Sequence, residues 1–126
     1  MACDDTRTCP GAVAGRKCPG VQTASKLGGG FEELIGRYHG RIWGPDGRIP
    51  LKYKYLMALA TAVTGREKQR ALLEANKAVA HGATADDVRE TLELCVWLGG
   101  SPLLLEIVQP VMRFLAKRLA QTPAGG

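Results

Sequence analysis

From residue 31 onward, apolar residues recur at the three- and four-residue spacing of amphipathic helices, and nowhere do they alternate as in a strand ladder. Phe31, Leu34, Ile35 and Tyr38 share one face of a short helix that Gly40 is expected to stop. Trp43-Gly44-Pro45-Asp46-Gly47 then has turn chemistry, because Pro presets one backbone angle and Gly accepts the left-handed one. Pro50 suits the entry of a second helix running to about Val63, with Leu56, Leu59, Ala60 and Val63 as its buried stripe. Thr64-Gly65-Arg66-Glu67 has the form of a capping box, which predicts Thr64 as the cap of a third helix carrying Ala71, Leu72, Ala75, Ala78 and Val79. Gly82 is the expected stop after His81. Thr84, followed by Asp86 and Asp87, is the expected start of a fourth helix, whose inner face holds Val88, Leu92, Cys95 and Val96 beside Trp97. Gly99-Gly100 closes it. Ser101-Pro102 opens the last helix, in which Pro110 predicts a kink or break near Gln109.

The expected fold class is therefore all-α, in one domain over residues 31–120. Before it, residues 1–30 form a Cys/Gly/Pro-rich arm containing Cys-Pro-Gly twice and the run Gly28-Gly29-Gly30; after it, residues 121–126 form a tail expected to be disordered. Few aromatic residues and many Ala and Leu agree with helix over sheet. No apolar run has the length of a membrane span, and the first residues lack the basic and apolar regions of a secretory signal, so the expectation is a cytoplasmic protein with no membrane partner. The net charge of +5 is spread along the chain with no aromatic platform and no nucleic-acid motif, which points to a solvated basic surface and away from a nucleic-acid partner.

The four cysteines are Cys3, Cys9, Cys18 and Cys95. On the apolar face of its helix, Cys95 behaves as a small hydrophobe. Cys3, Cys9 and Cys18 are candidates for metal binding, a disulfide or a mobile redox arm. Their spacing matches no zinc signature, however, and incidental cysteines in a tail are the alternative.

The run Ala80-His81-Gly82-Ala83-Thr84-Ala85-Asp86-Asp87-Val88-Arg89-Glu90-Thr91-Leu92, the corner Leu98-Gly99-Gly100-Ser101-Pro102 and the apolar stretch Leu56-Met57-Ala58-Leu59-Ala60 together resemble the alkylhydroperoxidase-D-like and carboxymuconolactone-decarboxylase-like family. The three anchors share one register without a gap, over roughly the central half of the chain. The resemblance implies an alkylhydroperoxidase-D-like helical bundle that assembles into a homotrimer or hexamer, with a small-molecule pocket between helices near a subunit interface.

The same register implies a loss. Redox-active members carry a C-x-x-C pair, a His four residues on and a Glu twelve residues before the first Cys. Here those positions hold Glu67, Arg70, Glu74 and Tyr55. Thiol peroxidase chemistry needs a thiolate that Glu and Arg cannot supply. The start Thr64-Gly65-Arg66-Glu67 looks closer to the decarboxylase branch, yet that branch's proton-transfer His is Glu74 here.

Tyr55, Glu67, Arg70 and Glu74 are the candidate site residues, and each has a plain structural alternative. Glu67 is either a site carboxylate or the third residue of a capping box. Arg70 and Glu74 are either a surface ion-pair ladder or, with Tyr55, a polar site rebuilt in the old pocket, where Glu74 moves a proton, Arg70 holds a carboxylate and Tyr55 orients or donates. At the C-terminal end of its helix, His81 can meet the last carbonyls. No cofactor is called for. Three functions follow: an enzyme of this superfamily, peroxidase-like or decarboxylase-like in class, with a rebuilt site acting on a small molecule; a non-catalytic oligomeric binding or scaffold protein; and a thiol redox protein that uses its N-terminal cysteines.

Overall fold

The computed structural model describes residues 23–24, 26–45 and 47–121. Its described residues form helices and turns without a strand. They fall into two compact units, one up to Pro50 and one from Leu51.

The first unit contains α1, Phe31–Trp43. The helix runs through Gly40, where the sequence predicted a stop, and ends at Gly44, whose N–H reaches the Gly40 carbonyl at 2.8 Å. Glycine inside a helix costs about 1 kcal/mol relative to Ala, a weak barrier once neighbouring turns are formed. Glu32 and Glu33 in the first turn and Arg41 in the last complement the helix dipole.

The second unit contains α2 (Leu51–Thr64), α3 (Lys68–Ala80), α4 (Ala85–Gly99), a π-helical turn (Leu104–Val108) and α5 (Gln109–Gln121). The most extensive packing is between α2 and α3. Besides this, α2 packs on α4, and α3 on α5 and the π-turn. Thus α3 is the central helix. The core is built from Tyr55, Leu56, Leu59, Ala62 and Val63 of α2, Ala71, Ala75 and Ala78 of α3, Val88, Leu92 and Cys95 of α4, and Leu103, Ile107, Val111 and Leu115 beyond. The small residues on α3 let its neighbours approach closely. Gly99 does the same at the end of α4, where a Cβ would lie 2.6 Å from Leu103 Cδ1.

Two consecutive helices end by the same device with different residues. At the end of α3 the Gly82 N–H bonds to Val79 O and the Ala83 N–H to Ala78 O, with Gly82 at φ +100°. At the end of α2 the Arg66 N–H bonds to Val63 O and the Glu67 N–H to Ala62 O, with Arg66 at φ 60°. Both are Schellman closures, and Arg66 occupies the left-handed position that glycine usually fills. This closure overturns the capping box expected at Thr64. Thr64 is the last residue of α2, and its hydroxyl donates back to Ala60 O at 2.9 Å. Helix α3 starts only at Lys68, with Glu67 in the cap position and no side-chain cap bond.

The capping box at Thr84 does form. Thr84 Oγ1 accepts from the Asp87 N–H at 3.1 Å, and Asp87 Oδ2 accepts from the Thr84 N–H at 2.9 Å. Near Pro110 the chain does not break. The preceding turn widens into a π-helix, whose Leu104 carbonyl accepts from the Gln109 N–H, and no side chain caps its start. Widening the turn accommodates a ring that would otherwise meet the carbonyl one α-turn earlier.

Candidate functional site

The face of α3 that carries Arg70, Glu74 and Lys77, continued by His81 just past the helix end, is polar, each residue three or four positions from the next. The spacing suits a surface ladder, but the structure encloses its middle. Glu74 is 0% exposed and Lys77 1%. Arg70, half-buried, donates from Nε to Glu74 Oε1 at 2.9 Å. The second carboxyl oxygen of Glu74, Oε2, is buried and makes no hydrogen bond among the described residues. Such a group costs about 1–3 kcal/mol relative to one that is satisfied.

Tyr55 comes from α2 and is fully buried. Its ring meets the His81 ring at a centroid distance of 4.6 Å, tilted by 34°, and the Lys77 ammonium lies 5.9 Å from its centre. His81 Nδ1 lies 2.9 Å from the Lys77 carbonyl, an acceptor only, so Nδ1 carries the proton and donates.

Of the four candidates, then, the structure pairs Arg70 with Glu74 and buries Tyr55 and Glu74. Glu67 does not join them: it is exposed and stands at the start of α3 without a cap bond. Its expected role as third residue of a capping box fails with the box. Lys77 was not among the candidates, because a Lys three residues after a Glu resembles more of the same surface ladder. The available signal was that α3, flanked in sequence by two apolar helices, has neighbours on more than one side. His81 was expected to meet the last carbonyls of its helix, and it does; its ring contact with Tyr55 had no sequence signal.

Cys95 is a core residue. It is 1% exposed, its Sγ is 3.9 Å from the Ala60 carbonyl, and burial pushes its thiol pKa up. Trp97 does not share that face: two residues on, about 200° around the helix, it is 85% exposed. Cys3, Cys9 and Cys18 lie outside the described residues. Among the described residues no group of three or more His, Cys, Asp or Glu could hold a metal ion, and no helix is long and apolar enough to cross a membrane.

These helices, in this order, carry a family signature. The carboxymuconolactone decarboxylase family matches residues 30–111, well over half of the chain, and the chain belongs to that family. No curated protein and no solved structure matches it.

Proposed function

We propose that the protein is a homo-oligomeric member of the family whose pocket has been rebuilt around Tyr55, Arg70 and Glu74, with Lys77 and His81 beside them, and that it binds and transforms a small molecule there. The observation that carries this reading is Glu74 Oε2, an acceptor held inside the fold with nothing described to satisfy it. A carboxyl oxygen kept in that condition costs stability, and a buried polar atom without a partner calls for an explanation that a ligand would supply. In this reading Glu74 accepts a hydrogen bond or a proton from the ligand. Arg70, tied by Nε to the other oxygen, has its remaining guanidinium donors for an anionic ligand group. Glu67 is left out of the working set by its exposure.

The test is a screen of the full-length protein against lactones and organic hydroperoxides, followed by Glu74→Gln and Cys95→Ser. Turnover that survives Cys95→Ser and is lost in a folded Glu74→Gln supports the rebuilt site. Activity that survives Glu74→Gln unchanged refutes it, and a protein that transforms none of them supports a binding or scaffold role.

A further inference from the structure

A concavity elsewhere in the helical unit shares no lining residue with the polar face of α3. It is an open groove of about 310 Å³ between α4 and the last helical segment, lined by Leu92 and Val96 on one wall and Leu104, Val108 and Met112 on the other, with Arg89 and Glu93 at its rim. That volume falls at the lower end of the range for small-molecule sites, which are mostly apolar with a few placed polar groups.

Two features distinguish the groove from an ordinary gap between helices. Leu104 and Val108, the first and last residues of the π-turn, both line it. The wide turn thus shapes this wall, and π-turns within helices are frequent at functional sites. The second feature is the charge of the rim. Arg89 is paired on the surface, with Nη1 2.7 Å from Asp86 Oδ1. Glu93, one turn further along α4, has no ion pair or hydrogen bond among the described residues. The charge left over at the mouth is therefore negative, on a protein whose net charge is +5.

We infer that this groove is a binding site for a small apolar amine, with the hydrocarbon or aryl part between Leu92, Val96, Val108 and Met112 and the ammonium group at Glu93. The thioether of Met112 adapts its shape to an uneven ligand. An acid of the same skeleton is disfavoured, since its carboxylate would face Glu93 and compete with Asp86 for Arg89. The site is independent of Glu74 and of the reaction proposed there.

Calorimetric titration of the full-length protein with phenylbutylammonium, phenylbutanol and phenylbutyrate tests this. The three share one skeleton and differ in head-group charge. The ammonium compound is expected to bind tightest, about three- to fivefold tighter than the alcohol, the gain that one exposed ion pair provides. Glu93→Gln should remove that advantage and leave the alcohol unchanged. Leu104→Trp, at a half-exposed position where a larger side chain fills the groove without disturbing the core, should abolish binding of both while leaving the melting temperature in place. Equal binding of all three compounds, an ammonium preference that survives Glu93→Gln, or binding that survives Leu104→Trp would each overturn the assignment.

Discussion

Glu74 and Cys95 show how differently two buried reactive side chains are treated in this fold. The Cys95 thiol is buried in the core with its Sγ 3.9 Å from the Ala60 carbonyl, and its pKa is raised by burial, so both access and thiolate fraction are low. Alkylation of the native protein at neutral pH, followed by peptide mapping, should label Cys95 far more slowly than Cys3, Cys9 and Cys18, and Cys95→Ser should leave any peroxidase activity unchanged. Fast labelling at Cys95 would contradict its packing. Glu74 is as deeply buried but polar, and only half of its carboxyl group is satisfied. The sequence conveyed the first case and not the second. A cysteine between apolar helical neighbours is ordinary core. An Arg-Glu pair four residues apart has the same spelling on a surface and inside a pocket, and only the packing of α3 against both α2 and α5 separates the two. Lys77 stayed hidden for the same reason.

Among the elements, two threonines with the same local pattern had different fates. Thr64-Gly65-Arg66-Glu67 and Thr84-Ala85-Asp86-Asp87 each place an acidic residue three positions after a Thr. At Thr84 the chain has already left the previous helix through Gly82, so both reciprocal bonds form. At Thr64 the preceding helix has not ended, and the left-handed turn at Arg66 uses up the amides that a cap would need. Helix starts were legible where a glycine stop preceded them and illegible where a non-glycine residue supplied the stop. Two stability tests follow. Gly82→Ala meets no atom within 4 Å, so its cost is backbone conformation alone, and urea denaturation should show a loss of about 1 kcal/mol. Thr84→Ala should cost about 1 kcal/mol as a lost helix cap. Asp87 adds a pH signature. Its hydrogen bond to the Thr84 backbone, followed by the one to the Thr84 side chain and the nearby Lys52, holds its carboxyl below the usual carboxylate range, with partial burial acting the other way. Its contribution is therefore complete above the pKa of an unfolded Asp and lost as pH falls through the lower, folded value. Melting curves taken between neutral pH and pH 2 should show a shallower acid loss in Asp87→Asn than in the parent protein. Identical acid profiles would show that the bond is not formed in solution.

For the whole molecule, the unusual feature is how much apolar surface the second unit leaves uncovered. On α4, Leu94 is 56% exposed, Trp97 85% and Leu98 71%, and Leu105 in the π-turn is 75% exposed. With Val88, Leu92 and Cys95 buried on the other side, the last turn of α4, Cys95–Leu98, is apolar all round, the pattern of a helical turn covered on every side. Isolated exposed apolar residues are common, but three within five residues of one helix have the pattern expected of an association surface. Leu94 and Leu98 lie across α4 from the groove residues Arg89, Leu92 and Val96, whereas Trp97, one turn after Glu93, stands on the same side of the helix as Glu93. A surface of this kind that docks on a different patch of the next copy closes into a ring when the rotation between copies is a whole fraction of a turn. We therefore expect a homotrimer or hexamer, as the family resemblance also implies. Size-exclusion chromatography with light scattering should give three or six times the 13.5 kDa chain mass at micromolar concentration. Trp97→Lys combined with Leu98→Lys should shift that mass to the single chain while preserving the helical circular dichroism, because neither side chain belongs to the core of its own subunit. Light scattering at the mass of one chain for the unmodified protein would remove the argument from exposure, and an unchanged assembly in the double variant would move the interface away from α4.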